Sequence, residues 1–392
     1  MVRSERADRE CYQNAPGAKS LALNSLARRA AGQAESAVAT SGTVYLSALP
    51  TCLCGAGGIW AARTLSAPPQ TTKARYKALL EPPGDWQPAL RSFTSSMKIQ
   101  TNNSIAVVLP PPIGDSLIGM VLVNNLVRNG YQPVVFGWVA EQLAEWFPWV
   151  RVGRADEYAG AFEVVIELRP TAQGSTLARS GKTLCLADLP AYHGPKHHMV
   201  DRIVDIAVTT FQLQDVTRSN GLILPPGVVR RAAANRVVIH PTGSHPEKMW
   251  SRPKFLALAR SLERLGLKPS FLVAPNEFDA WRGISAHGHE VNALDLGDVA
   301  RWIAESDWFI GNDSGLGHLA SSIGVPTLTL FMRRGLARSW RPGWAPGEIV
   351  LPLNVVPSGK LKERLWKQLL TVRRVMSGFQ VLRKSNPTAL FR

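Results

Sequence analysis

Three short segments of this chain place carboxylates, hydroxyls, an imidazole and an ammonium group beside glycine, where an apolar run gives way to a helical one. In the most specific of them, Gly311-Asn312-Asp313-Ser314-Gly315-Leu316-Gly317-His318 follows Trp308-Phe309-Ile310, which reads as a short buried strand. Leu319 to Ile323 then reads as a helix, and a further strand spans Thr327 to Leu330. Asp313, Ser314 and Gly315 therefore stand at a strand-to-helix turn. There, unpaired backbone N–H groups and the positive end of the helix dipole can hold an anion. Gly315 and Gly317 remove the Cβ that would keep a ligand off the backbone. A pyrophosphate suits such a turn, and His318 lies one helical turn beyond Ser314, over the same mouth. Alone, an Asp-Ser-Gly run is more simply a helix cap and a tight turn.

A second segment of matching chemistry argues for more. Arg236 to Ile239 reads as a β-branched strand and leads into His240-Pro241-Thr242-Gly243-Ser244-His245-Pro246-Glu247-Lys248. A helix from about Pro253 to Leu265 follows, closed by Gly266. Lys248, in a hydroxyl-bearing loop with Thr242 and Ser244, can neutralise a phosphate as a compact point charge. The plainer reading makes it one surface lysine among many. In the third segment the strand Ile105 to Leu109 leaves through Pro110-Pro111-Pro112, and Ile113-Gly114-Asp115-Ser116 opens an apolar helix that runs to Val127. A carboxylate beside a glycine at that turn can act as a general base. Taken alone, Asp115 is more simply an N-cap.

Turns of this kind need parallel strands to present them. Short apolar runs alternate with helical stretches from residue 103 onward, which predicts an α/β fold with parallel sheets. The remaining strands expected are Val134 to Phe136, Phe162 to Glu167, Thr183 to Leu186 and Ser270 to Val273, with a helix over Val139 to Phe147. Leu224-Pro225-Pro226-Gly227 breaks both periods and reads as an interdomain linker. The expected division is 97–226 for a first domain and 227–350 for a second. Residues 351–392 are expected to form a helical tail, in which a basic amphipathic helix beginning at Lys360 either packs back on the first domain, the reading its apolar spacing favours, or lies against lipid. Residues 1–96 mix Ala, Ser, Arg and Pro without a sustained period and read as a poorly structured extension. Met97-Lys98 stands where a natural chain start would. Thr43 to Ala62 is too interrupted by Pro50, glycines and hydroxyls to make a good membrane span, and the expected compartment is the cytoplasm.

With 392 residues, 45% of them apolar, the chain can bury more than one core. Its formal charge is +16, of which residues 1–96 supply +5 and the remainder +11. A basic surface attracts nucleic acid, an anionic membrane face or a phosphorylated glycolipid. No nucleic-acid module or interleaving of aromatic with basic residues accompanies it, so nucleic acid is not an expected partner. Cys11, Cys52, Cys54 and Cys185 give neither a disulfide framework nor a zinc pattern. His197, His198, Asp201 and Asp205 bring no third kind of ligand to a metal, and His198 reads better as a helix-start residue facing a cleft. Asp201 and Asp205 are expected to pair with Arg202 or solvent. No Gly-x-Gly-x-x-Gly run follows a strand, which leaves a nicotinamide or flavin cofactor without support.

Together the three turns resemble the ADP-heptose:lipopolysaccharide heptosyltransferase family. The resemblance rests on Ile113-Gly114-Asp115, on Lys248-Met249-Trp250 with Pro253 and Phe255, and on Gly311-Asn312-Asp313-Ser314-Gly315 with His318-Leu319-Ala320. Ala300, Ile303, Ala304 and Asp307 before the last motif and Ile323 to Thr327 after it add to the likeness, which runs from about Lys98 to Pro346. It implies a GT-B arrangement, two Rossmann-like domains facing a cleft, with no cofactor. It also implies transfer of heptose from ADP-heptose to the phosphorylated inner core of lipid A, with inversion, at the inner membrane face. Residue by residue, Asp115 with Gly114 matches the general-base turn, and Lys248 a phosphate ligand with Thr242 and Ser244 in its loop. Asp313, Ser314, Gly315 and His318 match the donor's sugar and pyrophosphate site, and Glu277 a ligand of the adenosine ribose. Ser314 stands where Thr is commoner, and the three prolines where the family usually carries a basic or hydroxyl residue. A protein or other glycan acceptor, a nucleotide-sugar epimerase, and a binding protein without catalysis remain as other readings.

Overall fold

The computed structural model describes residues 99–180, 183–194, 198–287, 290–354 and 359–386. The readings of residues 1–96, of Met97-Lys98, of the interrupted apolar stretch Thr43 to Ala62, of Cys11, Cys52 and Cys54, and of His197 fall outside the described residues.

The first sheet grows from apolar runs too short for helices. β1 (Ile105–Val108) is buried at all four positions and leads into α1 (Ile113–Arg128), a helix buried along most of its length. A helix apolar all round must lie inside, and α1 fills the space between the sheet and its neighbours. β2 (Val134–Phe136), α2 (Trp138–Gln142), β3 (Arg151–Val152), β4 (Val164–Glu167), α3 (Ala172–Leu177), β5 (Leu184–Cys185) and α4 (Met199–Thr209) follow in order. The strands lie parallel as β3-β2-β1-β4-β5, with Val107 opposite Val135 and Ile166.

The second sheet repeats the plan on a larger scale. β6 (Arg236–His240), α5 (Arg252–Glu263), β7 (Lys268–Val273), β8 (Glu290–Ala293), α6 (Leu296–Ala304), β9 (Trp308–Asn312) and α7 (Gly315–Ile323) are its first elements. β10 (Thr327–Leu330), α8 (Arg334–Trp340), β11 (Gly347–Val350), α9 (Gly359–Leu369) and α10 (Val372–Ser385) complete it. Its order is β11-β10-β9-β6-β7-β8, all parallel, with Val238 opposite both Ser270 and Phe309. α7 stops at Gly324, whose φ of +95° is the left-handed cap that glycine adopts without a Cβ penalty.

One apolar cluster joins the two sheets' helices: Leu117, Val121 and Ile203 from the first lobe pack in the same core as Ala300, Leu319 and Ile323 from the second. A separate core lies between the second sheet and α5, α9 and α10, and includes Trp250, Phe255, Trp366, Phe379 and Leu382. The C-terminal helices therefore pack on the second domain, not on the first as their amphipathic pattern was read. Their apolar stripes fit the exposed flank of β10 and β11, and the Trp366 indole donates to the Glu247 carbonyl. The helix expected over Val139 to Phe147 breaks at Leu143 into α2 and a short 3-10 turn, Ala144–Trp146. Phe147 precedes Pro148, which disfavours helical backbone at the preceding residue.

Candidate functional site

In a parallel α/β sheet, ligands gather where strands end and helices begin. Both central strands here, β1 and β9, end in a turn that carries residues singled out above.

In the first turn, Asp115 is not the helix cap. That position belongs to Pro112, at φ −66° and ψ 128°, which offers no capping side chain. Asp115 lies three residues on, in the first turn of α1, half-buried near the positive end of the helix. Burial pushes its carboxyl above the usual aspartate range, and the charges of Arg169 and Lys248 pull it back. Arg169, not anticipated from the sequence, leaves the end of β4 beside β1. Its loop is fastened from below: the buried Glu167 carboxylate accepts bonds from the backbone N–H (2.7 Å) and hydroxyl of Thr171.

The second turn carries an ion pair. Lys248 Nζ lies 3.9 Å from Asp313 Oδ2, with both side chains largely covered. Burial raises Asp313 to about 6, against the opposing pull of Lys248. Ser314 occupies the N-cap position of α7 but makes no capping bond. Its hydroxyl and that of Thr242 are both buried, with no hydrogen-bond partner among the described residues. Buried hydroxyls without partners carry a desolvation cost that a bound ligand can relieve. His318 is buried, and its pKa falls to about 4, first because of burial and then because of the His198 charge, with the Trp340 carbonyl opposing. It is therefore neutral near pH 7.

Glycines bring the two turns into contact. A Cβ on Gly114 would stand 2.9 Å from His318 Cδ2. One on Gly315 would stand 2.7 Å from Ile113 Cβ and 3.0 Å from the Gly114 nitrogen. The starts of α1 and α7 thus meet face to face across the lobes, and Asp115, Lys248 and Asp313 form one electrostatic cluster.

Asn312 sets the distance between the two segments of the second lobe, and the sequence reading passed over it. It is fully buried at the end of β9. Its side-chain nitrogen donates to the Pro241 carbonyl at 2.7 Å, and its oxygen accepts from the Trp250 N–H at 3.0 Å. Both ends of the loop bearing Thr242 and Lys248 are therefore tied to the residue before Asp313. Lys367 adds a bond to the Pro246 carbonyl at 2.7 Å.

Two of the expected residues make no ion pair or hydrogen bond with this cluster among the described residues. Ser244 is exposed on the outer part of its loop. Glu277 lies after β7, where its carboxylate accepts from the Ala274 N–H at 3.1 Å and its charge bears on the buried His240. His198 does begin a helix, as read: it is the N-cap residue of α4, and its Nε2 lies 2.7 Å from the Arg341 carbonyl in the other lobe. Asp201 pairs with Arg218, not with Arg202, whose guanidinium donates to the Tyr192 carbonyl. A surface hollow of about 810 Å³ between the last turn of α5 and Val372 is lined by Arg260 and Arg264. It lies at the opposite end of the strands from these turns, and no group of the cluster reaches it.

Residues 170–343 match the model of glycosyltransferase family 9 (heptosyltransferase). Among curated proteins no relative is matched. The fold is similar to the glycosyltransferase family 9 structure from Veillonella parvula, at 17% identity and a TM-score of 0.59, covering 74% of this chain and 100% of that one. It is also similar to the E. coli ADP-heptose LPS heptosyltransferase II, at 14% identity and TM-score 0.57, covering 72% of this chain and 99% of that one. The E. coli heptosyltransferase WaaC with ADP gives 14% identity, a TM-score of 0.55, and coverage of 71% and 99%. The two parallel-sheet α/β domains resemble in fold those of the GT-B heptosyltransferases.

Proposed function

We propose, on the premise that this chain is a glycosyltransferase of the heptosyltransferase family, that it transfers heptose from ADP-heptose to the phosphorylated inner core of lipopolysaccharide with inversion at the anomeric carbon. The observation that carries this reading is the meeting of the two turns, with the Asp115 carboxylate on one side and Lys248, Asp313 and the start of α7 on the other. An inverting displacement needs a base on the acceptor's side of the anomeric carbon and positive charge on the leaving group's side.

In this mechanism the acceptor hydroxyl attacks the anomeric carbon, its proton passes to Asp115, and the bond from that carbon to the diphosphate oxygen breaks as ADP leaves. Burial raises the pKa of Asp115, against the pull of Arg169 and Lys248, and makes it a better proton acceptor than an ordinary aspartate. Lys248 meets the charge that develops on the diphosphate, and the unpartnered hydroxyls of Thr242 and Ser314 supply donors beside it. Asp313, Gly315 and the neutral His318 shape the sugar and diphosphate pocket, Ser244 lies at its outer edge, and Glu277 holds the ribose. No cofactor takes part. The excess positive charge favours an anionic acceptor at the cytoplasmic face of the inner membrane, with the enzyme peripheral to it. Among the described residues no helix is long and apolar enough to cross a membrane.

The test is to mix the protein with ADP-heptose and deep-truncated lipopolysaccharide, and to follow ADP release and glycolipid mass. Release of ADP that depends on acceptor, with a heptose added to the glycolipid, is the expected result. Release without acceptor, or only with another nucleotide sugar, overturns the assignment.

A further inference from the structure

The turn ahead of Asp115 is pinned by two successive carbonyls. The Ser116 hydroxyl, from inside α1, donates to the Pro110 carbonyl. The Trp138 indole N–H, arriving from the next strand, donates to the Pro111 carbonyl at 2.8 Å. The topology explains why they meet. β1 and β2 are neighbours in register, Val108 opposite Phe136, and the Leu109 N–H continues the ladder to the Phe136 carbonyl. Gly137 then turns the chain at φ +132°, with its α-carbon so close to Leu109 that a Cβ would stand 3.0 Å from the Leu109 carbonyl oxygen. Only glycine accepts that conformation and that approach, and it makes Trp138 the first residue of α2, beside the proline run.

Trp138 is 43% exposed, whereas the other described tryptophans are buried or half-buried. Its one polar atom is already satisfied by Pro111, so the surface it leaves open is the apolar ring. Pro111 and Pro112 are exposed as well. The ring and the two pyrrolidines are thus a rigid, uncharged surface at the ends of adjacent strands, a helical turn from Asp115. An indole held by its N–H with its ring free fits a partner that offers C–H bonds on one side and hydroxyls on the other. A pyranose is such a partner.

We infer that Trp138, with Pro111 and Pro112, is the stacking platform for the apolar face of a neutral sugar ring of the acceptor, and so helps aim its hydroxyl at Asp115. This rests on the glycosyltransferase reading above and deepens it. Recognition beside the base is by ring stacking, while charge recognition is left to Arg169.

The experiment uses the full chain labelled with fluorotryptophan, its Trp138 signal assigned by loss in Trp138→Phe. A neutral methyl pyranoside is expected to shift that signal in fluorine NMR, and phosphatidylglycerol vesicles are not. In steady-state transfer to a deacylated, deep-truncated lipopolysaccharide oligosaccharide, Trp138→Ala is expected to raise the acceptor KM about tenfold, with the ADP-heptose KM changed by less than about twofold, and Trp138→Phe to recover most of the loss. An unmoved acceptor KM, an equal rise in both KM values, or a Trp138 signal that responds only to vesicles overturns the platform. If the wild-type protein transfers nothing from ADP-heptose, the proposed function falls, while the pyranoside titration still decides the role of Trp138.

Discussion

The turn after β1 and the turn after β9 solve the same local problem in opposite ways. Each ends a central strand, each opens a helix, and neither caps that helix with a side chain. After β1 the chain is stiffened by three prolines, held by Ser116 and Trp138, and carries a single carboxylate. After β9 the chain is thinned by glycines, held by Asn312, and presents the unpartnered Ser314 hydroxyl, with Asp313 paired to Lys248 of the loop after β6. A helix start favours negative charge in both cases. The first supplies that charge itself, as Asp115, and so suits a neutral nucleophile losing a proton. The second pairs most of its own negative charge with Lys248 and leaves donors free for an incoming anion. One kind of turn therefore yields a base on one lobe and an anion site on the other.

The sharpest way to break that comparison is to remove the carboxylate from the first turn. Asp115→Ala is expected to lower kcat by about 10²–10⁴-fold while ADP binding by calorimetry stays near wild type. Near wild-type turnover would show that the first turn is not the base. Removing the cation from the second turn should cost nearly as much by another route. Lys248→Ala is expected to lower kcat by about 10²–10³-fold and also to weaken ADP, because the charge it meets exists in the bound diphosphate and grows as the bond breaks. A variant that loses only kcat, with ADP affinity intact, would move Lys248 off the diphosphate.

Contact between the turns can be sharpened with two glycines only two residues apart. A methyl group at Gly315 meets Ile113 and the Gly114 nitrogen, which are backbone and branched side chain and cannot yield without parting the lobes. One at Gly317 meets nothing closer than Pro342 at 3.5 Å. Gly315→Ala is expected to reduce kcat/KM about tenfold or more and Gly317→Ala to leave it within about twofold, measured at equal folded fraction. Equal effects would mean that the close approach of α1 and α7 has no bearing on the chemistry.

The sequence exposed the central strands and both turns well, because a strand buried on both faces reads as a continuous apolar run. Ile105 to Val108, Val134 to Phe136 and Trp308 to Ile310 are of this kind, and so the turns at their ends could be placed. Of the edge strands, only β5 was expected from the sequence: Glu290 to Ala293 and Gly347 to Val350 are half-exposed and mix polar with apolar residues. Arg151 and Val152 are too few to show a period. Asn312 hid for a different reason. In sequence it reads as an ordinary turn residue, and its partners Pro241 and Trp250 lie 71 and 62 positions away. Arg169 and Trp138 hid likewise, since only the order β2-β1-β4 shows that both flank Asp115. The role given to Glu277 came from family likeness alone, whereas Ser244 was also read from its hydroxyl-bearing loop, on whose exposed part it lies.

A smaller effect separates the two turns by their response to pH. Asp313 titrates near 6 in the folded protein against 3.8 in the open chain, because burial outweighs Lys248. Its ionised form is thus disfavoured by folding. The cost is absent below the unfolded value, grows as pH rises between the two, and is fully present above about 6. A diphosphate arriving beside Asp313 adds like charge and raises the pKa further, so ADP binding should take up part of a proton just above pH 6. ADP affinity is then expected to strengthen about fivefold in wild type relative to Asp313→Asn as pH falls from about 7.5 to 5.5, with the phosphate's own titration common to both. Asp115 should show the reverse sense in catalysis: protonation removes the base, so kcat falls as pH drops through its raised pKa, and Asp115→Asn should abolish that limb without altering the proton uptake on ADP binding. If Asp313→Asn binds ADP with the same pH profile as wild type, the carboxylate does not face the diphosphate, and the second turn would need a different occupant.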